Sequence, residues 1–235
     1  MKLVVFCDTL GQIPKFWKAF KGLGSKHELR FLICNNSRRS RWLFLAAQFA
    51  HAARRYSVWD WIGVVTDLWG GRIFLALDPL GSAASLGFLR GVGADLGLHA
   101  MGVIYRKEVI ELCGKGILNA HIGQLPKFRG RSVMEWSVLC GDPTGVTVFF
   151  IDSGIDTGSP IVHWEPVPLR NMKTIAEAKA LLFSKDAELY RKAVNKIEDG
   201  TVNGQNDVAK GRRFYEMSSL LRAVVQEHFE AQKMG

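Results

Sequence analysis

At 235 residues, 48% of them hydrophobic and 23% charged, the chain is long enough for one large domain, or a main domain with a small appendage, and too apolar for wholesale disorder. Its formal charge of +9 points to acidic company (phosphorylated substrates, nucleic acid, an anionic membrane surface) or to a solvated basic face. Cys7, Cys34, Cys113 and Cys140 are scattered without a CxxC pair, which argues against a disulfide frame or a zinc site. "MKLVVFCDTLG" reaches Asp8 too soon for a signal peptide, and the longest apolar stretch, 42–53, is too short to span a bilayer, so a cytoplasmic location is expected.

In chain order, "KLVVFC" (2–7) reads as a strand, followed by a helix around "PKFWKAFKGL" (14–23) and a strand at "ELRFLIC" (28–34). The basic, aromatic stretch from 38 to 70 resists assignment. It holds five arginines and four tryptophans. One amphipathic helix covering a sheet edge with a solvated arginine face is the expectation there. A second reading gives Arg38, Arg39 and Arg41 to a diphosphate and Trp59 and Trp61 to a base or sugar, and a third lays the stretch at a membrane interface. "RIFLAL" (72–77) is strand-like, "GSAASLGFLRGV" (81–92) helical, "LGLHAMGVI" (96–104) a strand, "RKEVIELC" (106–113) a short helix and "GILNAH" (116–121) a strand. "RSVMEWSVLCG" (131–141) reads as helix, and "GVTVFFID" (145–152) and "PIVHWEPVPL" (160–169) as extended. This alternation predicts an α/β fold with a doubly wound, largely parallel, Rossmann-like sheet over 1–170, with 38–70 as an atypical insertion. A helical extension is expected over 171–235. In its tail, Phe214, Met217, Leu221, Val224, Val225 and Phe229 fall near one helical stripe, expected to pack on the core or on a second copy of the chain as a homodimer.

Sites in such sheets lie at the carboxyl ends of strands. Asn119 and His121 end "GILNAH" and, two apart on a strand, point to one face. An asparagine amide can donate to an oxygen gaining negative charge, and an imidazole can hold or move a proton, a combination suited to acyl-type transfer. Turn-capping and a structural histidine explain the same two residues equally simply. The loop "DSGIDTG" (152–158) offers two aspartates, Asp152 and Asp156, either of which could hold His121 in one tautomer. The residues alone do not choose between them.

Taken together, "NAH" (119–121), "QLPKFRG" (124–130) and "DSGIDTG" (152–158) resemble, in order and spacing, the motifs of the folate-dependent formyltransferases. The resemblance is strong over about 95–170, fair over 1–35 and poor over 38–70. It implies a formyltransferase fold and transfer of a formyl group from 10-formyltetrahydrofolate to an amine, without a metal. Carried over by position, it makes Asn119, His121 and Asp156 the catalytic residues. It places the folate among Gly102, Val103, Ile104 and Tyr105, Gln124, Leu125 and Pro126, and Phe150, Ile151, Asp152, Ser153, Gly154 and Ile155. Asp8, Thr9, Arg129 and Gly130 are left to the acceptor. "GQLP" departs from the family's common Ser-Leu-Leu-Pro, a change that a pocket built of main-chain groups tolerates.

For the acceptor, the roughly 65 residues after the catalytic region are short of the C-terminal barrel of tRNA-formylating relatives, and "CDTLGQIP" lacks the Gly-Ser-Asn phosphate loop of the glycinamide ribonucleotide enzymes. A small amine, best a nucleotide-linked amino sugar, is therefore expected, and tRNA is disfavoured. A methionyl-tRNA or glycinamide ribonucleotide enzyme, or a non-catalytic folate or nucleotide-sugar binding module, are the alternatives. "IDTGSP" also resembles the aspartic protease signature, but one copy in a chain so rich in helical patterns argues against it. "GVGADLG" (91–97) follows a helix and precedes a strand, the reverse of a dinucleotide-binding loop.

Overall fold

"KLVVFC" is buried at every position after Lys2, as a strand covered on both faces must be, and it forms β1 (Lys2–Cys7). The computed structural model describes residues 1–20, 26–54 and 56–231. It divides into two compact units, Met1–Leu118 and Asn119–Gly235.

In the first unit, β1 is followed by α1 (Ile13–Phe20), β2 (Glu28–Cys34), α2 (Arg41–Ala53), α3 (Val58–Trp69), β3 (Ile73–Ala76), α4 (Ala83–Val92), β4 (Leu96–Ala100), α5 (Lys107–Glu111) and the start of β5 (Ile117–His121). The strands pair in parallel in the order β3-β2-β1-β4-β5. The order reverses between β1 and β4, and that switch opens a crevice at their carboxyl ends. Local signals set the helix bounds. Ser82 caps α4, whose following residue Gly93 takes the left-handed φ of 54° that ends a helix cheaply. Residues 21–23 of the helix expected around 14–23 lie outside the described residues.

The stretch 38–70 is two helices, not one. Ser57 and Asp60 form a capping box that starts α3 afresh four residues after α2 ends. Trp59 and Trp61 then fall on different sides of α3, and the Trp61 ring stacks on Phe49 at 6.2 Å, so the two indoles do not make a joint platform for a base. The Cys34 and Cys113 thiols are buried and pushed up to about 12 by desolvation, which makes them inert.

The second unit begins with the end of β5. It continues through β6 (Phe128–Gly130), α6 (Val133–Leu139), β7 (Gly145–Phe150), β8 (Ile161–Pro166), α7 (Ile175–Ser184), α8 (Asp186–Glu198), β9 (Arg212–Phe214) and α9 (Ser219–Ala231). β7 and β8 form an antiparallel pair with an irregularity at Val148/Phe149. β6 and β9 make a small parallel pair of their own. The doubly wound, largely parallel α/β fold with a helical C-terminal part is as expected.

The tail stripe needs correction. Phe214 belongs to β9, where its ring stacks on Phe128 at 5.1 Å, and Met217 precedes the helix. Only Val225 and Phe229 bury the helical stripe, while Val224 faces solvent.

β8 and α8 share a charged cluster with a pH consequence. Lys196 Nζ donates to His163 Nδ1 (3.0 Å), so the ring's remaining proton sits on Nε2, 3.3 Å from Glu165 Oε2, which also accepts from Lys192 (2.5 Å). Burial lowers His163 below its ordinary value, and the Lys192 hydrogen bond lowers Glu165. Both groups bind fewer protons folded than unfolded, so each stabilises above its unfolded pKa and is lost as pH falls through its folded one. Stability is expected to decline below pH ~6.5 as His163 must charge, and again below ~4.3 as Glu165 is protonated. In urea titrations across pH, His163→Gln should flatten the first decline; an unchanged profile refutes the assignment.

Candidate active site

The last three residues of β5, Asn119, Ala120 and His121, belong to the second unit with everything they touch below. The Ala120 N–H donates to the hydroxyl of the fully buried Tyr190 on α8 (2.8 Å). That bond pins the strand end between the two predicted side chains. Tyr190→Phe leaves the donor without this acceptor, and a loss of about 1–3 kcal/mol is expected in chemical denaturation, with a fall in turnover. No change in either would show that the pin is unimportant.

His121 is 7% exposed. Its Nε2 lies 2.9 Å from the Phe128 carbonyl, which only accepts, so Nε2 carries a proton. Its Nδ1 faces Asp156 Oδ1 at 3.5 Å. Both ring nitrogens thus face oxygens. Gly123 makes room for this ring, because a Cβ there would come within 2.9 Å of Nε2. The Asn119 side-chain amide makes no hydrogen bond among the described residues and lines, with His121, a cavity of about 320 Å³. Arg131, Lys179 and Glu216 bring charge to the same cavity.

The two loop aspartates separate cleanly. Asp152 Oδ1 accepts from the Gly154 N–H (2.9 Å) and the Thr157 hydroxyl (2.7 Å), so it ties its own turn together. Asp156 takes a left-handed φ of 53°, and its Oδ2 accepts from the Gly130 N–H (2.9 Å), leaving Oδ1 for His121. The buried Asn206 side chain holds this turn by donating to the carbonyls of Asp156 (3.2 Å) and Gly158 (2.9 Å). Gly130, at φ 102°, could carry no Cβ, which would lie 2.2 Å from the Phe214 carbonyl.

The other predicted residues fall in two places. In the second unit, the Leu125 N–H donates to buried Thr147 Oγ1 (3.1 Å), which donates to the Gly123 carbonyl (2.6 Å), and this fixes the Gln124–Pro126 turn. Asp152, Ser153, Gly154 and Ile155 are exposed, with Phe150 and Ile151 half-buried before them. Arg129 Nε is buried without a hydrogen-bond partner among the described residues. In the first unit, Asp8, Thr9 and Gly102–Tyr105 lie at the switch between β1 and β4. There the Gly102 N–H donates to Asp8 Oδ2 (3.0 Å), and Gln12 Oε1 accepts from the Asp8 and Thr9 N–H groups (2.8 and 3.1 Å). Partial desolvation raises the Asp8 carboxyl, opposed by that Gly102 bond. Tyr105 is buried, with its hydroxyl 2.9 Å from His99 Nδ1, and Ile104 is exposed.

Sequence reasoning missed Tyr190, Asn206 and the buried pair of Glu135 with Lys179 (2.5 Å). Only Glu135 left a trace, as a lone carboxylate inside the apolar "RSVMEWSVL".

The fold is that of the N-formyltransferases. A sugar N-formyltransferase from a Shewanella species superposes with a TM-score of 0.65 at 12% identity, covering 97% of this chain and 87% of that one. The formyltransferase PseJ from Anoxybacillus kamchatkensis, solved with a UDP-formamido sugar and tetrahydrofolate, gives 0.54 at 18% identity, covering 92% and 86%. Residues 89–194 match the formyl transferase family model. In sequence, the methionyl-tRNA formyltransferase of Solibacter usitatus is 37% identical over 119 residues, 49% of this chain and 37% of that protein. The chain thus matches well under half the length of this relative.

Proposed function

We propose that the protein transfers a formyl group from 10-formyltetrahydrofolate to the amine of a small molecule, best a nucleotide-linked amino sugar. The observation that carries the reading is the uncommitted Asn119 amide beside a histidine whose two nitrogens are both held by oxygens, inside a formyl transferase segment. The residues fit a folate donor: the turn at Gln124–Pro126 and the exposed loop 152–155 offer main-chain groups beside these side chains, and PseJ was solved with tetrahydrofolate. The donor supplies the formyl carbon.

Asn119 donates to the oxygen on that carbon as it gains negative charge on attack by the amine. Such a donor typically contributes about 3–4 kcal/mol of transition-state stabilisation. His121, with Nε2 on the Phe128 carbonyl, turns Nδ1 toward Asp156 and can hold or pass a proton there. Asp156 orients the ring. Arg131 at the cavity, paired with Glu216 (3.2 Å) where both are exposed, can exchange that partner for an anionic acceptor such as a nucleoside diphosphate, whereas Lys179 is held by the buried Glu135.

The amino-sugar acceptor is supported by the extent of the structural likeness to the sugar enzymes, which spans nearly the whole of both chains. A second reading, methionyl-tRNA, is favoured by the sequence relative from Solibacter usitatus. Mass spectrometry of the purified protein with 10-formyltetrahydrofolate, UDP- and dTDP-linked 4-amino sugars and charged initiator tRNA separates the two. A formamido sugar supports the first, and formyl-methionyl-tRNA replaces it with the second. Failure to bind the stable donor mimic 5-formyltetrahydrofolate in calorimetry would sink both and leave a binding module for other ligands.

A further inference from the structure

Helices α2 and α3 each bury one narrow stripe and turn a second, equally apolar stripe outward. Phe44, Gln48 and Ala52 face inward on α2, where Gln48 accepts from the Leu10 N–H (2.9 Å) and donates to the Asp8 carbonyl (3.1 Å). Outward lie Trp42, Phe49, Trp59, Ile62, Val65 and Trp69, and the three indoles are 82%, 81% and 91% exposed. The Phe49–Trp61 stack joins the two helices into one surface. An outer face of this kind opposes ordinary solvation, because exposed helix faces are normally polar.

Charge selects the occupant. Between Ser37 and Gly71 the sequence carries five arginines and two carboxylates, Asp60 and Asp67. Asp60 is engaged in the α3 capping box, and Asp67 is nearly buried, 3.3 Å from Arg72. Arg38, Arg39 and Arg41 are exposed on the turn leading into α2, immediately before Trp42, a turn that the buried Asn35 fixes by donating to the Arg39 carbonyl (2.7 Å). Asp78 lies 3.9 Å from Arg41 with both side chains largely in water.

We propose that this face attaches the protein to an anionic lipid surface, with the tryptophans at headgroup depth and the arginines on lipid phosphates. Interfacial helices combine an apolar face, tryptophan and arginine in this way. At 13 and 12 residues, α2 and α3 are far too short to cross a bilayer, and among the described residues no helix is long and apolar enough to do so. A second copy would bring no anionic groups to these arginines, because the face itself carries none that is free of an intramolecular partner among the described residues, and that disfavours this occupant.

Co-sedimentation of the full chain with vesicles of phosphatidylcholine, or of phosphatidylcholine with roughly a quarter phosphatidylglycerol, tests this. Binding to the anionic vesicles only, lost on raising salt from about 0.1 M to about 1 M, is expected. Arg38→Ser/Arg39→Ser/Arg41→Ser should weaken it about 100-fold, since each basic residue near such a surface contributes about a fivefold factor. Trp42→Ser/Trp59→Ser/Trp69→Ser should weaken it at least about tenfold with an unchanged melting temperature, because these rings are solvent-exposed in the free protein. Equal binding to both vesicle types, full binding by the tryptophan variant, or tryptophan-dependent dimers in sedimentation velocity without vesicle binding would each overturn the proposal.

Discussion

Asn119→Ala is expected to lower kcat for formyl transfer about 10²–10³-fold with KM for the acceptor nearly unchanged, because the role proposed for the amide is to donate to an oxygen charged only in the transition state. His121→Ala should cost about 10²–10⁴-fold. Asp156→Asn keeps the shape of the turn but offers Nδ1 a neutral partner, and its loss should fall in the same range. The three act as one unit, so Asn119→Ala/His121→Ala should lose far less than the product of the single losses. Single-turnover assays with the best acceptor measure all of this. An Asn119→Ala enzyme within threefold of the parent kcat would remove Asn119 from the chemistry, and equal activity for Asp152→Asn and Asp156→Asn would undo the division between the two aspartates.

Lys179→Met is expected to destabilise the protein by about 3 kcal/mol in denaturant titrations, the largest stability effect predicted for one side chain here. Glu135 is fully buried on α6, neither of its oxygens has a hydrogen bond among the described residues, and Lys179 at 2.5 Å is its ion-pair partner. Removing the lysine strands a buried charge. The low end of the usual range for a broken buried pair applies because Lys179 itself is 31% exposed, which lets water reach the site. Glu135→Leu/Lys179→Met should recover most of the loss, since an apolar pair of similar volume needs no desolvation of charge. A Lys179→Met variant within about 1 kcal/mol of the parent would show that water already compensates Glu135. Lys179 also lines the cavity that holds Asn119 and His121, so the variant's KM for the acceptor reports whether Lys179 contributes charge to binding.

The sequence alone carries the alternation of strand and helix, because short apolar runs rich in β-branched and aromatic residues, such as "KLVVFC" and "GVTVFF", favour strands buried on both faces. It determined the placing of Asn119 and His121 as well, since a spacing of two at a strand's carboxyl end puts both side chains on one face. Local capping sets α3 and α4 apart from their neighbours, and the capping box at Ser57–Asp60 splits a stretch whose composition alone suggests one helix. What the tertiary structure decided was which groups meet across long separations. Asp156 rather than Asp152 faces His121 because Asp152 spends its carboxylate on Gly154 and Thr157, a choice made by the path of the loop. Tyr190 reaches Ala120 across seventy residues, and Lys179 reaches Glu135 across forty-four, by packing that no local pattern encodes. The outward stripe of α2 and α3 was equally hidden. An apolar residue looks the same in sequence whether it faces a core or solvent, and only the packing of the helices on their sheet showed which stripe was left outside.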